Sequence, residues 1–247
     1  MSKGPWLAPD VTPQERSAFG DLDVAIALPG ERVNENAMSC LRRCRIGDKH
    51  YYVKVYFRRG RYLRRYLGRS RIRAEWENQR HFVAWGIPTS RLVAFAEQRQ
   101  DGAYRGIVVT EEVPGTIDLW TLVKKHPEKL AETAWLRRVI DRLAGHVRTM
   151  HNRQFVHNDL KWRNILVDFS NTTEVYIIDC PLGRVCSGPI YERGVAKDLA
   201  CVDRGAWKYI SRSMRLRFAL RYYGADRLSE AQKKRVRRVL GFFEGRD

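Results

Sequence analysis

The sequence predicts an α+β fold in two lobes, a small β-rich first lobe with one helix and a mainly helical second lobe. Three observations carry this. Runs rich in Val, Ile and Tyr, such as the alternating HYYVKVYF, crowd the chain before residue 113. Beyond Gly115 the apolar residues recur at helical spacing, as in Leu136, Val139, Ile140, Leu143, Val147 and Met150. Between these regions Pro114–Gly115 breaks the chain direction.

Read in order, residues 1–21 carry Pro5, Pro9 and Pro13 and are expected to be an irregular lead-in. Residues 22–113 are expected to form the first lobe and 114–247 the second. DVAIALPG, MSCLRRCRI and HYYVKVYF read as short strands. A helix is expected from Arg71 to Trp85, stopped by Gly86 and Pro88, before the strands RLVAFAEQ and RGIVVTEEV. In the second lobe a long helix ends near Asn152. A polar loop from His157 to Arg163, a strand from Ile165 to Asp168, a turn at Asn171 and the strand EVYIID follow. Three helices complete the reading, at Tyr191–Ser213, Met214–Tyr223 and Ser229–Phe243.

The composition fits such a chain. With 44% hydrophobic and 11% aromatic residues, 247 residues can bury one sizeable core or two smaller ones and are not expected to be disordered. No apolar run approaches the roughly 20 residues that span a bilayer. The first residues lack the apolar core of a secretory signal, so the expected location is cytoplasmic. The five cysteines, Cys40, Cys44, Cys180, Cys186 and Cys201, are scattered and do not read as a disulfide framework. Cys40 and Cys44 lack the two further clustered ligands that zinc needs. The net charge is +18, concentrated in RRGRYLRRYLGRSRIR from Arg58 to Arg73 and in the stretch from Arg212 to Arg238. Surfaces of this kind attract polyanions, although charge by itself does not name one.

The chemistry concentrates in FVHNDLKWRNILVDF, Phe155 to Phe169, and in VYIIDC, Val175 to Cys180. Phosphoryl transfer needs a carboxylate beside the attacking hydroxyl, oxygen ligands for magnesium, and a cation near the transferring group. Asp159 is the candidate base, Lys161 the candidate cation, and Asn164 and Asp179 the candidate magnesium ligands. The competing interpretation makes Asp159 and Asn164 ordinary turn residues and Asp179 a strand cap.

HNDLKWRN, with its apolar lead-in and the later Asp179, resembles the protein-kinase catalytic loop H-R-D-L-K-x-x-N and the metal-binding Asp after it. The resemblance implies a two-lobed protein-kinase-like fold with ATP and Mg²⁺ as cofactors. Lys54, in YYVKVYF, resembles the lysine that pairs with the nucleotide phosphates. Its implied ion-pair partner is Glu75, with Glu77 as rival. Glu111 and Val113 fall where a hinge would hold adenine through backbone groups.

Short kinase-like chains with H-x-D-L-K/N-x-x-N-I-L, then I-D, then R-x-x-x-K-D-L resemble the lipopolysaccharide core kinase family. Here the last element is Arg193 to Leu199, and the HNDLKWRN and IDCP forms resemble the heptose-kinase branch most. The resemblance covers residues 22–213. It implies phosphorylation of heptose or Kdo on the lipopolysaccharide inner core, at the inner face of the inner membrane. It implies an anionic glycolipid partner and peripheral contact with that membrane surface, with nucleic acid not expected. Asp198 would brace the catalytic loop.

Three departures accompany the resemblance. GERVNENAMSC stands where a glycine-rich loop would precede Lys54, Cys180–Pro181 follows the metal Asp, and Asn158 replaces the loop arginine. Only the 18 residues 180–197 separate Asp179 from Asp198, and no A-P-E follows, which favours a compact or lipid-borne acceptor over a docked peptide. Two other readings stay open at this point. One is a protein kinase acting on itself or on peptides, and the other a non-catalytic, pseudokinase-type binder with a basic surface.

Overall fold

The computed structural model describes residues 4–59, 68–100, 103–170 and 173–245. The chain divides into two compact units, Met1–Arg80 with Ser90–Pro114, and His81–Thr89 with Gly115–Asp247.

The first unit is built on an antiparallel six-stranded sheet in the order β1-β5-β6-β4-β3-β2. Its strands are β1 (Trp6–Leu7), β2 (Glu31–Glu35), β3 (Ser39–Ile46), β4 (Lys49–Tyr56), β5 (Leu92–Gln100) and β6 (Ala103–Glu111). The two-residue period of β4 sends Tyr51, Val53 and Val55 to one face. There they meet Phe19, Leu22 and Ala25 from helices α1 (Pro13–Phe19) and α2 (Leu22–Ala27). Lys54 and Tyr56 point to the other face, where Tyr56 packs with Ile72 of α3 (Arg71–Ala84) and with Phe95 and Val108. The sheet is thus covered by helices on both sides.

Two expectations fail here for the same reason. The described part of the lead-in, residues 4–21, is not irregular, since β1 pairs with β5 and α1 follows. Thr12 and Glu15 form a reciprocal capping box, and Pro13 occupies the first turn, where a missing N–H costs nothing. DVAIALPG is not a strand but α2, whose first amides, Asp23 N–H and Val24 N–H, donate to the Asp21 carboxylate at 2.9 and 3.0 Å. In both places a helix-starting side chain outweighs local apolar or proline content.

The second unit begins with β7 (Thr116–Asp118) and α4 (Leu119–Lys125), then a 3₁₀ turn at Pro127–Ala131. The long α5 (Thr133–Asn152) buries the predicted stripe from Leu136 to Met150. After it come β8 (Phe155–Val156), a 3₁₀ turn at Trp162–Asn164, β9 (Ile165–Asp168), β10 (Val175–Ile177) and β11 (Arg184–Val185). Helices α6 (Gly188–Ala206), α7 (Arg212–Tyr223) and α8 (Glu230–Leu240) end the unit. The order β10-β9-β7 makes one small sheet, and β11 pairs with β8. The expected turn at Asn171 and part of the basic stretch, 60–67, lie outside the described residues.

All five cysteines are free, with Cys40, Cys44 and Cys180 buried. Among the described residues no helix is long and apolar enough to cross a membrane.

Candidate active site

In the first unit, alternation along β4 places Lys54 opposite α3, and helical spacing brings Glu75 to it. The Lys54 Nζ lies 3.0 Å from both carboxylate oxygens of Glu75. Tyr56 Oη donates to Glu75 Oε2 at 2.5 Å, an interaction with no mark in the sequence. A lysine this sheltered is costly unless paired, and a second donor holds the carboxylate in place. Glu77, the rival partner, binds Arg69 at 2.9 Å instead.

The Gly-poor segment before β3 is closed by a side chain. Asn36 Oδ1 accepts from the amides of Met38 and Ser39 at 2.9 and 3.2 Å, an Asx turn that fixes the tip without glycine. At the far end of the sheet the Glu111 carboxylate is engaged by Lys49 and Arg91, each at 2.7 Å. Burial would raise its pKa, but these two cations outweigh burial and hold it below the usual carboxylate value. The Glu111 amide donates to the Arg91 carbonyl at 2.9 Å, so its sheet-side N–H is already used. Val113 lies just past the end of β6.

In the second unit Asp159, Lys161 and Asn164 come together. Lys161 Nζ is 2.6 Å from Asp159 Oδ1, and Asn164 Nδ2 donates to the Asp159 carbonyl at 2.9 Å. The amides of Lys161 and Asn164 close the loop on the carbonyls of Asp159 and Lys161, both at 2.8 Å. The next strand is stitched on by Ile178 N–H to the Asn164 carbonyl at 3.0 Å. Asp179 follows with φ of 56°, and Asn158 has φ of 65°. Left-handed backbone at non-glycine residues is uncommon and gathers at functional sites.

Asp198 on α6 lies beneath this loop, fully buried. Its carboxylate accepts from His157 N–H and Asn158 N–H, both at 2.7 Å. Lys197 beside it donates to the Asn158 carbonyl at 2.6 Å, and Asn158 Nδ2 donates to the Leu182 carbonyl at 3.1 Å. The helix approaches closely because Gly205 lies against the Trp162 ring, whose Nε1 donates to the Val202 carbonyl at 2.9 Å. His157 is buried among the carboxylates of Asp198, Asp179 and Asp159. Burial lowers its pKa against their pull, and its Nδ1 accepts from the Asp159 amide at 3.3 Å. A neutral ring therefore supports the loop from inside.

The donor set suits a hard cation. With its amide nitrogen committed to Asp159, Asn164 has Oδ1 left to offer, and Asp179 supplies carboxylate oxygen. Among the described residues there is no cluster of three or more His, Cys, Asp and Glu side chains able to hold a metal alone. Such a site would share its ion with phosphate oxygens.

The family model described as Lipopolysaccharide kinase (Kdo/WaaP) family matches residues 28–227. The chain belongs to this family. Among curated relatives, a 3-deoxy-D-manno-octulosonic acid kinase of Actinobacillus succinogenes is 31% identical over 175 residues, covering 69% of this chain and 68% of the relative. The enzyme of the same name from Vibrio cholerae serotype O1 is 28% identical over 153 residues, 58% of this chain and 61% of that one. Among solved structures, WaaP in complex with acyl carrier protein superposes with a TM-score of 0.75 at 23% identity, over 97% of this chain and 96% of that one. That likeness establishes the fold as the kinase-like α+β arrangement of WaaP. As a member of the lipopolysaccharide kinase family the protein is a phosphotransferase with an alcohol acceptor.

Proposed function

We propose that this member of the family transfers the γ-phosphoryl group of ATP to a sugar hydroxyl of the lipopolysaccharide inner core. The observation that carries the proposal is the joined set Asp159, Lys161 and Asn164 held over buried Asp198. Asp159 would orient the acceptor hydroxyl and accept its proton as that oxygen bonds to phosphorus and ADP leaves. Lys161, already beside this carboxylate, would carry positive charge to the transferring group. Lys54, fixed by Glu75 and Tyr56, would pair with the nucleotide phosphates, and the backbone at Glu111 and Val113 would bind adenine. Asn164 and Asp179 would hold Mg²⁺, which when bound neutralises phosphate charge.

For the acceptor, the two curated relatives named as 3-deoxy-D-manno-octulosonic acid kinases favour Kdo. Kdo is itself an acid and suits a chain of net charge +18. Heptose is the second choice, resting on the HNDLKWRN and IDCP forms. The anionic glycolipid would bring the enzyme to the cytoplasmic face of the inner membrane as a peripheral protein.

The test is phosphate transfer from labelled ATP with Mg²⁺ to dephosphorylated core acceptors ending in Kdo or carrying heptose. Transfer to Kdo that Asp159→Ala abolishes is the expected result. Transfer to heptose alone selects the other sugar, phosphate only on peptides or on the chain selects the protein-kinase reading, and none at all overturns the proposal.

A second partner is proposed from a different observation. Helices α4 to α8 surround an apolar cavity of about 960 Å³, lined by residues such as Leu136, Ile140, Leu199, Phe218 and Val239, with Arg212 and Arg215 also on its wall. The solved neighbour was captured with an acyl carrier protein. The aliphatic chain that such a carrier bears matches this lining. Binding of acylated but not unacylated carrier is the expected result, and equal binding of both overturns it.

A further inference from the structure

The catalytic loop is tied to a helix that the proposed chemistry does not use. Asp198 accepts two loop amides, and its Oδ2 also faces His151 Nε2 at 3.4 Å. His151, at the end of α5, is 2% exposed. Its other nitrogen, Nδ1, lies 2.8 Å from the hydroxyl of Tyr222 on α7. The ring of Tyr222 meets the imidazole edge-on, with centroids 5.6 Å apart and an interplanar angle of 82°.

With a neutral imidazole the donors and acceptors along this line run one way. A carboxylate already accepting amides can only accept again, so Nε2 carries the proton. Nδ1 of the neutral ring is then an acceptor, which leaves the Tyr222 hydroxyl as donor. The bonds run in one direction, from Tyr222 through His151 to Asp198, and each polarises the next. Tyr191 Oη donates to the His151 carbonyl at 2.8 Å and fixes the backbone at the same point. The chain's outer end is the surprising part. No residue of α7 is fully buried, and Tyr222 is one of the side chains lining the apolar cavity.

We propose that Tyr222 is a positioning residue for phosphoryl transfer, acting through His151 on Asp198 and so setting the placement of the loop that bears Asp159. The proposal rests on Asp159 being the base of the proposed reaction. Removing the Tyr222 hydroxyl leaves Nδ1 buried without its donor, turns the imidazole free to rotate or change tautomer, and loosens the third contact to Asp198. The two loop amides then share a less constrained carboxylate. Small displacements of a catalytic group are expensive in rate even when the fold survives.

The experiment compares the full chain with Tyr222→Phe, which deletes one oxygen and keeps the ring. Two readouts are taken, amide hydrogen exchange at His157 and Asn158 and steady-state phosphoryl transfer. Faster exchange at these amides is expected, with kcat lower by about tenfold and KM for ATP unchanged. Tyr223→Phe, an adjacent ring outside the hydrogen-bond chain, is the control and should move neither readout. His151→Gln, which can keep a donor toward Asp198 while losing the acceptor for Tyr222, should fall between wild type and His151→Leu. Unchanged exchange and kcat in Tyr222→Phe, or equal losses in Tyr223→Phe, overturn the proposal. If wild type transfers no phosphate, the reading of Asp159 fails on its own, while hydrogen exchange still decides whether Tyr222 restrains the loop.

Discussion

The loop from His157 to Asn164 and the helices α7 and α8 belong to the same unit, yet they are held by different means. In the loop His157, Leu160 and Asn164 are buried, and its backbone is fastened by Asp198, Lys197 and Asn164. Neither α7 nor α8 buries a residue fully. Their attachments include part-buried ion pairs, Arg215 with Asp203 and Arg217 with Asp141, beside the walls of a large apolar cavity. A buried, hydrogen-bonded polar network resists opening more than part-exposed ion pairs do. The difference teaches that rigidity here is concentrated where proton transfer is proposed.

The sharpest way to break this comparison separates chemistry from stability. Asp159→Asn removes a carboxylate whose side-chain ion pair is with Lys161 at a part-exposed site. Phosphoryl transfer should fall by about 10²–10⁴-fold with the thermal midpoint nearly unchanged. A comparable loss of stability would show that Asp159 is a structural residue.

Asp198→Ala should behave in the opposite way. It strips the acceptor from the buried His157 amide and the part-buried Asn158 amide, and each orphaned group costs about 1–3 kcal/mol. Chemical denaturation should show a loss of about 4 kcal/mol, and the protein should be hard to obtain folded. A mild loss would mean that the network is less closed than its distances indicate.

Arg217→Ala tests the other region. Its paired carboxylate, Asp141, is about one-third exposed, so solvent screens the interaction. The expected cost is about 1 kcal/mol or less, measured the same way. A cost approaching that of Asp198→Ala would erase the contrast between the two regions.

The smallest effect is one of pH. His157 has its folded pKa depressed below the ordinary value of 6.5, with burial as the largest cause. The unfolded chain therefore binds the proton first as pH falls. The stabilisation from the neutral ring is intact above about pH 6.5 and declines below it, toward the depressed folded value. Denaturation midpoints between pH 7.5 and 5.5 should fall more steeply for wild type than for His157→Gln. Parallel slopes would locate the acid sensitivity elsewhere.

What the sequence revealed follows from how each feature is encoded. Asp159 to Asn164 are neighbours in sequence and in space, so their spacing carries their geometry. The Lys197–Asp198 pair announced itself through R-x-x-x-K-D-L. Helices such as α5 were legible because burial of one face leaves a periodic trace. The interactions that stayed hidden join single residues far apart in the chain. Tyr56 reaches Glu75 across 19 positions and Tyr222 reaches His151 across 71, and nothing local marks either. At the N-terminus the signal was present, since T-P-Q-E is a capping box, but three nearby prolines suggested a loop.

That N-terminal segment has a practical consequence for anyone trimming the protein. Glu15 is completely shielded from solvent and accepts from the Tyr51 hydroxyl at 2.8 Å, while Arg91 grips the same carboxylate. Asp10 is 3.2 Å from another nitrogen of Arg91. A fragment starting after Gly20 would discard both acids while keeping the tyrosine and arginine they serve. Shortening what looks like a dispensable leader would remove two of the three acids that pair with Arg91 and the acceptor of the Tyr51 hydroxyl, and insolubility of such fragments would be a fault of design rather than of the enzyme.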